Sequence, residues 1–158
     1  MEFLQNSGTI LTLLAGALAA LLPGIGSADG VGRVGEVSAG VLTEDPAKFG
    51  KLLILQALPG TQGIYGLLTW FMVMQVSGLF SGQTDISWQK GLSYLMAVLP
   101  IAFVGYFSAI YQGKVAVAGV LLVGKRSEEQ SKALVLAAMV ETYAILSLLA
   151  SVLTILRI

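Results

Sequence analysis

The chain has 158 residues, of which 56% are hydrophobic and only 11% are charged, and its mean hydropathy is +0.83. A soluble domain carries about 25% charged residues, so this composition indicates an integral membrane protein. The formal net charge of zero gives no indication of nucleic-acid binding, and the lack of cysteine and histidine excludes disulfides, thiolate ligands and imidazole chemistry.

Four apolar segments follow one another along the chain, at residues 10–42, 52–76, 91–123 and 133–156. Each is long enough to cross a bilayer, which takes about 20 residues. Because lipid offers the backbone no hydrogen-bond partners, we expect four transmembrane helices and an all-α membrane protein. Glu2 is present and no lysine or arginine precedes Arg33, so we expect the first helix to be retained rather than cleaved as a signal peptide.

Short polar linkers separate these segments, at 43–50, 81–90 and 124–132. Asp45 directly precedes a proline, a pattern that predicts an N-cap for the second helix. Ser127, followed three residues later by a glutamine, predicts a capping box for the fourth.

Basic residues are concentrated around the first and third linkers, whereas only Lys90 and Arg157 lie near the other side. The positive-inside rule therefore places the linkers 43–50 and 124–132 in the cytoplasm, with both termini outside the cell membrane. The basic residues on the cytoplasmic side are Arg33, Lys48, Lys51, Lys114, Lys125, Arg126 and Lys132.

The two halves of the chain resemble each other weakly. A shift of 79 residues places Gln62 opposite Glu141. We interpret residues 1–80 and 81–158 as two tandem helical hairpins in the same orientation, the first of which has an amide where the second has an acid. A shift of 81 residues gives the further pairs Ser27–Ser108, Ala28–Ala109, Gly32–Gly113 and Arg33–Lys114.

Small residues recur at a spacing of four on the first and third segments, and such series allow helices to pack closely. If both series belong to one crowded layer, the first and third helices line the inside of a curved homo-oligomer and the bulkier second and fourth helices lie outside. A single four-helix bundle is the simpler alternative. The series are Gly24, Ala28, Gly32, Glu36 and Gly40, the pair Gly26 and Gly30, and Gly105, Ala109 and Gly113.

One face of the second segment is polar, since Leu58, Thr61, Gln62 and Tyr65 are spaced by three or four residues. Pro59 lies among them and is expected to kink the helix, because it lacks an N–H and loosens the nearby carbonyls. This face offers a hydroxyl, an amide oxygen, a phenol and a backbone carbonyl. The alternative is that these groups only make hydrogen bonds between helices.

Glu141 is the only formal charge between residues 133 and 156. An ionised side chain at this depth costs roughly 3 kcal/mol, so an acid there is a candidate functional residue rather than one structural hydrogen bond. Gln112 is a lone amide in the third segment, where it is either a ligand or a residue that only makes hydrogen bonds between helices. One carboxylate with amide, hydroxyl and carbonyl oxygens suits a monovalent cation such as Na⁺. A hydrogen-bond cage for a protonated acid, which carries H⁺, is the alternative.

Asp29 is a rival carboxylate on the first segment. Arg33 follows it by four residues and Glu36 by almost a further turn, so the acid and the base can neutralise each other on one helix face. We expect this strip to face water or a cavity rather than to carry the transported ion.

The stretches "GIGSADGVG", "LPGTQGIYG", "YQGKVAVAG" and "AAMVETYAIL" resemble the K subunit of bacterial V-type ATPases, the proteolipid or c-type subunit of the membrane rotor ring. The resemblance covers nearly the whole chain and is to members of Na⁺-translocating enzymes. It implies that Glu141 is the essential carboxylate and that Tyr65 closes the site by bonding to it. The implied Na⁺ ligands are Thr61, Gln62, Gln112 and the Leu58 carbonyl.

The resemblance also implies partners. It predicts a homo-oligomeric ring of identical subunits in the lipid bilayer, a membrane stator subunit that supplies an arginine, and a central-stalk subunit. The chain is then a non-catalytic subunit of an ATP-driven ion pump. Two other hypotheses are the same rotor carrying H⁺ and an oligomeric channel or structural membrane protein.

Overall fold

The computed structural model describes residues 7–158, and all regular structure in that part of the chain is helical. Glu2, on which the prediction of a retained N-terminal helix rests, lies outside the described residues. The helices are α1 (Ser7–Glu44), α2 (Phe49–Ala57), α3 (Thr61–Val76), α4 (Trp88–Lys125) and α5 (Gln130–Ile155).

The four predicted segments are present, and the second of them is divided into α2 and α3. Within residues 7–158, three helices are long and apolar enough to cross a membrane by themselves, namely Ser7–Glu44, Trp88–Lys125 and Ser127–Ile155. α2 has 9 residues and α3 has 16, so each is too short to cross a bilayer alone and they cross it only together. α1 and α4 have 38 residues each. At 1.5 Å per residue they are about 57 Å long, which exceeds the ~30 Å hydrocarbon core of a bilayer.

Pro59 causes the division, as the sequence predicts. Leu58–Gly60 forms a tight 3₁₀ turn between α2 and α3. The carbonyl of Leu58 accepts a hydrogen bond from the backbone N–H of Thr61 and another, at 2.9 Å, from the Thr61 hydroxyl. The proline thus changes the local backbone at the point where the polar face of this segment begins.

α1 and α4 form the central pair of the molecule, with α3 packed on α1 and α5 packed on α4. Gly30 and Gly113 explain the close approach of the central pair, because a Cβ added to Gly113 would lie 2.6 Å from the Cα of Gly30. Gly26 similarly faces the backbone of α4, whereas a Cβ added to Gly32 or Gly40 would meet no atom of another described part of the chain within 4 Å. The small residues of α1 therefore form two series, one packed inside the chain and one on its surface.

The two linkers that carry basic residues lie side by side. Lys48 Nζ donates to the carbonyl of Gly124 at 2.7 Å, and Lys51 Nζ donates to the Ser127 carbonyl at 2.9 Å and its hydroxyl at 2.7 Å. These lysines bond the orphan carbonyl of Gly124 in the last turn of α4 and that of Ser127 just beyond it. At the other end of the molecule, the Thr9 hydroxyl donates to the Thr84 carbonyl at 2.6 Å.

The predicted caps divide into one that is confirmed and one that is wrong. Asp45 Oδ1 accepts from the backbone N–H of Ala47 at 3.1 Å and caps the 3₁₀ turn Pro46–Lys48 that leads into α2. Ser127 caps no helix, and its hydroxyl accepts from Lys51 instead. The capping-box pattern failed because Ser127 is the first residue of the 3₁₀ turn Ser127–Glu129 rather than the residue before a helix, and its hydroxyl accepts from Lys51 of α2.

Two buried apolar clusters lie at opposite ends of the bundle, and the polar side chains lie between them. Large apolar side chains such as Ile64, Leu68 and Met139 cover the outer faces of α3 and α5, as lipid contact requires. One cluster contains Ala15, Ala19, Val73, Met74, Tyr94, Ala97, Val98 and Ile155, and the other contains Val34, Leu52, Leu55, Ala116, Val120, Val123, Ala133 and Ala137.

Candidate ion-binding site

The Glu141 carboxylate lies where α3, α4 and α5 meet. Its Oε1 accepts a hydrogen bond from the Tyr65 hydroxyl at 2.6 Å, and its Oε2 accepts from Gln112 Nε2 at 3.3 Å. The side chain is half-buried, so the carboxylate sits at the edge of the bundle rather than in its core. It is held by one donor from each neighbouring helix.

Two amides lie behind the carboxylate, and both are completely buried. Gln62 Nε2 donates to Gln112 Oε1 at 2.6 Å, which is a short hydrogen bond between α3 and α4. Gln112 Nε2 donates in turn to the Ala137 carbonyl of α5 at 3.2 Å as well as to Glu141. The NH₂ group of Gln62 thus faces Gln112, and Gln62 Oε1 lies on the other branch of the amide.

The Pro59 turn supplies the remaining oxygens. The Thr61 hydroxyl lies 2.9 Å from the Leu58 carbonyl and 3.4 Å from Gln62 Oε1. The second of these contacts is long, so the Gln62 oxygen has weak protein partners and keeps a lone pair for a ligand. The helix spacing that groups these residues in the sequence is therefore realised in space.

All six residues named from the sequence belong to this one network, across three helices. The structure brings together Leu58, Thr61, Gln62, Tyr65, Gln112 and Glu141. Their role as ligands stays a prediction.

The rival carboxylate lies elsewhere. Arg33 Nε and Asp29 Oδ2 form an ion pair at 2.8 Å, and the Arg33 side chain is 53% exposed. The pair neutralises itself along one face of α1, as the sequence predicts, and Glu36 is exposed beside it.

Sequence reasoning missed one residue of the network. Ser108 on α4 accepts a hydrogen bond from Gln62 Nε2 at 3.3 Å and donates to the Val140 carbonyl at 3.1 Å. Its pairing with Ser27 in the internal repeat was the available signal. Ser27 likewise bonds the outer helix at this level, since it accepts from the Gly63 N–H at 2.8 Å.

The donor set defines the chemistry that the site can support. Among residues 7–158, no group of three or more histidine, cysteine, aspartate or glutamate side chains is placed to hold a metal ion. A single carboxylate surrounded by neutral oxygens balances one positive charge, so the arrangement suits a monovalent cation or a proton better than a divalent ion.

Comparison with known proteins defines the class. The model of the ATP synthase C-subunit family matches residues 14–73 and again residues 95–154. The chain therefore belongs to this family, whose members are membrane proteolipids. The first residues of the two matches, 14 and 95, are separated by the same shift of 81 residues that pairs Ser27 with Ser108.

Two relatives are similar to the chain over most of its length. The chain is 49% identical over 159 aligned positions to the V-type sodium ATPase subunit K of Enterococcus hirae, with 99% of each protein covered. It is 38% identical over 144 positions to the A-type ATP synthase subunit K of Methanocaldococcus jannaschii, which covers 91% of this chain and 61% of that protein.

Proposed function

We propose that this chain is a rotor-ring subunit of a V-type rotary ATPase and that it carries Na⁺ through the membrane on Glu141. The observation that carries the proposal is the network of Tyr65, Gln112 and Gln62 around one carboxylate at the lipid-facing edge of the bundle. The similarity over 99% of the chain to a protein described as a sodium ATPase subunit supports both the rotor and the ion.

Na⁺ is held by oxygen atoms from three helices in this proposal. Glu141 supplies the charge, Gln62, Gln112 and Thr61 supply neutral oxygens, and the Leu58 carbonyl completes the set. Tyr65 holds the carboxylate from the outer side through its 2.6 Å hydrogen bond. A proton would need only the carboxylate in an apolar pocket, so the neighbouring oxygens favour Na⁺ over the alternative ion, H⁺.

The charge of the site couples binding to rotation. With Na⁺ bound the site is neutral and can face lipid, where Ile64 and Met139 already form an apolar surface at the same level. An empty site carries an ionised carboxylate that costs roughly 3 kcal/mol in hydrocarbon. The empty site must therefore stay against the stator, where we propose that an arginine compensates it.

Each chain carries one such acid although it has two halves, since Gln62 occupies the position that Glu141 holds in the second. We propose that residues 1–80 and 81–158 are copies of one hairpin, which the two family-model matches support. One carrier per four crossings moves fewer ions for each ATP. Because each charge moved against 100 mV costs about 2.3 kcal/mol, this ratio favours a pump that sustains a steep gradient.

The assembly and orientation are part of the same proposal. The surface series Gly24, Ala28, Gly32 and Gly40 leaves room for a second copy of the chain beside α1, which supports a ring. The adjoining linkers 43–50 and 124–132 carry most of the basic residues, so we place them in the cytoplasm, where a central-stalk subunit docks. Both termini then lie outside.

The test uses the assembled ATPase in vesicles. A hydrophobic carbodiimide that labels Glu141 should react more slowly as Na⁺ is added at constant pH, because the ion occupies the carboxylate. No protection over a wide Na⁺ range would refute Na⁺ and leave the rotor carrying H⁺.

A second measurement separates the rotor from a channel or a structural protein. Glu141→Gln keeps the shape of the side chain but removes its charge, and we expect it to abolish ATP-driven Na⁺ uptake. Intact uptake in this variant would exclude the rotor mechanism. Asp85→Asn, an exposed acid in the linker 81–90 outside the proposed site and ring contact, is the matched control and should leave uptake unchanged.

A further inference from the structure

We propose that Ser108 is a positioning residue that fixes the orientation of the Gln62 amide and thereby gives the site its preference for Na⁺ over H⁺. This inference rests on the proposed ion site and adds a residue outside its ligand set. Ser108 is buried on α4 and contacts both α3 and α5 at the level of Glu141.

The direction of the hydrogen bonds at Ser108 determines how the Gln62 amide is oriented. A serine hydroxyl has one hydrogen, and in Ser108 that hydrogen is donated to the Val140 carbonyl at 3.1 Å. The oxygen of Ser108 then faces α3 as an acceptor only. Gln62 must therefore present its NH₂ group to Ser108 rather than its oxygen, and it does so at 3.3 Å.

Both amide hydrogens of Gln62 are used in this arrangement. One goes to Ser108 and the other to Gln112 Oε1 at 2.6 Å. Rotating the amide by half a turn would place Gln62 Oε1 against two acceptor oxygens, Ser108 Oγ and Gln112 Oε1. The NH₂ group of Gln62 would then lose both of its hydrogen bonds. Because Gln62 is completely buried, no water compensates for that loss. Ser108 thus keeps Gln62 Oε1 on the side of Thr61, where a cation needs oxygen.

The same order passes to Gln112. Its Oε1 accepts from Gln62, so its Nε2 is turned to α5, where it donates to the Ala137 carbonyl at 3.2 Å and to Glu141 at 3.3 Å. Gln62 is therefore the donor in both directions, toward Ser108 and Val140 on one side and toward Gln112 and Glu141 on the other. A proton on Glu141 does not depend on the orientation of the Gln62 amide, whereas a cation that binds Gln62 Oε1 does.

The test is Ser108→Ala in the assembled ATPase, with the Na⁺ concentration that halves carbodiimide labelling of Glu141 as the readout. Removing the acceptor takes away one of the two hydrogen bonds that orient the Gln62 amide. The loss of one hydrogen bond in a buried site corresponds to about a fivefold to tenfold higher half-protecting Na⁺ concentration. The labelling rate without Na⁺ reports on protonation of Glu141 and should change less than about twofold.

Ser151→Ala is the matched control. Ser151 is also buried between α4 and α5, where it accepts from the Ile101 N–H at 3.2 Å, but it has no contact with the amides. It should lose the same kind of interhelical bond without any change in Na⁺ protection.

The outcomes separate this inference from the proposed function. Equal Na⁺ protection in Ser108→Ala and wild type would overturn the role of Ser108 and leave the Na⁺ carrier intact. Equal losses in Ser108→Ala and Ser151→Ala would also overturn it, since the effect would then be general packing. No protection in wild type would refute Na⁺ binding and this inference together.

Discussion

Replacing Tyr65 by phenylalanine removes one hydroxyl from the site and leaves the ring in place. That hydroxyl donates the 2.6 Å hydrogen bond to Glu141 Oε1, which is the shortest contact of the carboxylate with the protein. Hydrogen bonds to charged groups contribute about 1.5–3 kcal/mol. Since Glu141 and Tyr65 are both only half-buried, we take the lower end of this range.

A loss of about 1.5 kcal/mol corresponds to a roughly tenfold weaker affinity. We expect the change mainly as faster Na⁺ release, because Tyr65 holds the carboxylate from the side that faces lipid. The assay is the half-protecting Na⁺ concentration for carbodiimide labelling of Glu141, combined with the rate of radioactive sodium release from the purified ring.

Tyr143→Phe is the matched control for this substitution. Tyr143 is two residues from Glu141 on α5, but it is 66% exposed. The same loss of a hydroxyl there should leave affinity unchanged. A shift of less than twofold in Tyr65→Phe, or an equal shift in both variants, would show that the Tyr65 bond does not hold the ion.

Two further predictions concern stability and are checked by thermal unfolding of the protein in detergent. Gly113→Ala should destabilise the fold by about 1–3 kcal/mol, because the added Cβ would meet Gly30 of the opposite backbone at 2.6 Å. A Cβ added to Gly32 would meet no neighbouring atom within 4 Å, so Gly32→Ala should leave the isolated chain unchanged or slightly more stable. Equal effects of the two substitutions would contradict the close packing of α1 and α4 at Gly113. Lys51→Met should cost about 1 kcal/mol, since Ser127 loses a donor to two of its oxygens, and an unchanged unfolding temperature would show that the two linkers are not held together there.

The residues of the site were predictable from the sequence because they are chemically out of place. Glu141 and Gln112 are isolated polar side chains in apolar segments, and the spacing of Thr61, Gln62 and Tyr65 already places them on one helix face. Their meeting across three helices follows from the short linkers, which force neighbouring segments to pack as hairpins. The polar residues that are unusual in apolar segments therefore pointed to one common site.

Ser108 was not predictable in the same way. Serine is common in membrane helices and often bonds its own backbone, as Ser147 does with the Ala144 carbonyl at 2.8 Å. Only the position of Ser108 between Gln62 and the backbone of α5 distinguishes it, and that position depends on how three helices pack.

The ends of the helices were misjudged for a different reason. Apolarity predicts the first helix at 10–42, whereas α1 spans Ser7–Glu44, and α4 likewise extends beyond 91–123 to Trp88–Lys125. Hydropathy marks the apolar part of a helix, whereas backbone hydrogen bonding continues through the polar residues at its ends. In this chain the two differ by a few residues at each end.

The amide at Gln62 gives the site its charge balance. If position 62 were also an acid, a second carboxylate would lie within hydrogen-bond distance of Gln112, which already contacts Glu141. Two ionised carboxylates in one buried network would repel each other and call for two cations or one retained proton. A glutamine at this position offers an oxygen without a second charge, so a single monovalent cation is enough to neutralise the proposed site. In the proposed mechanism, the amide at position 62 therefore allows residues from both halves of the chain to bind one ion.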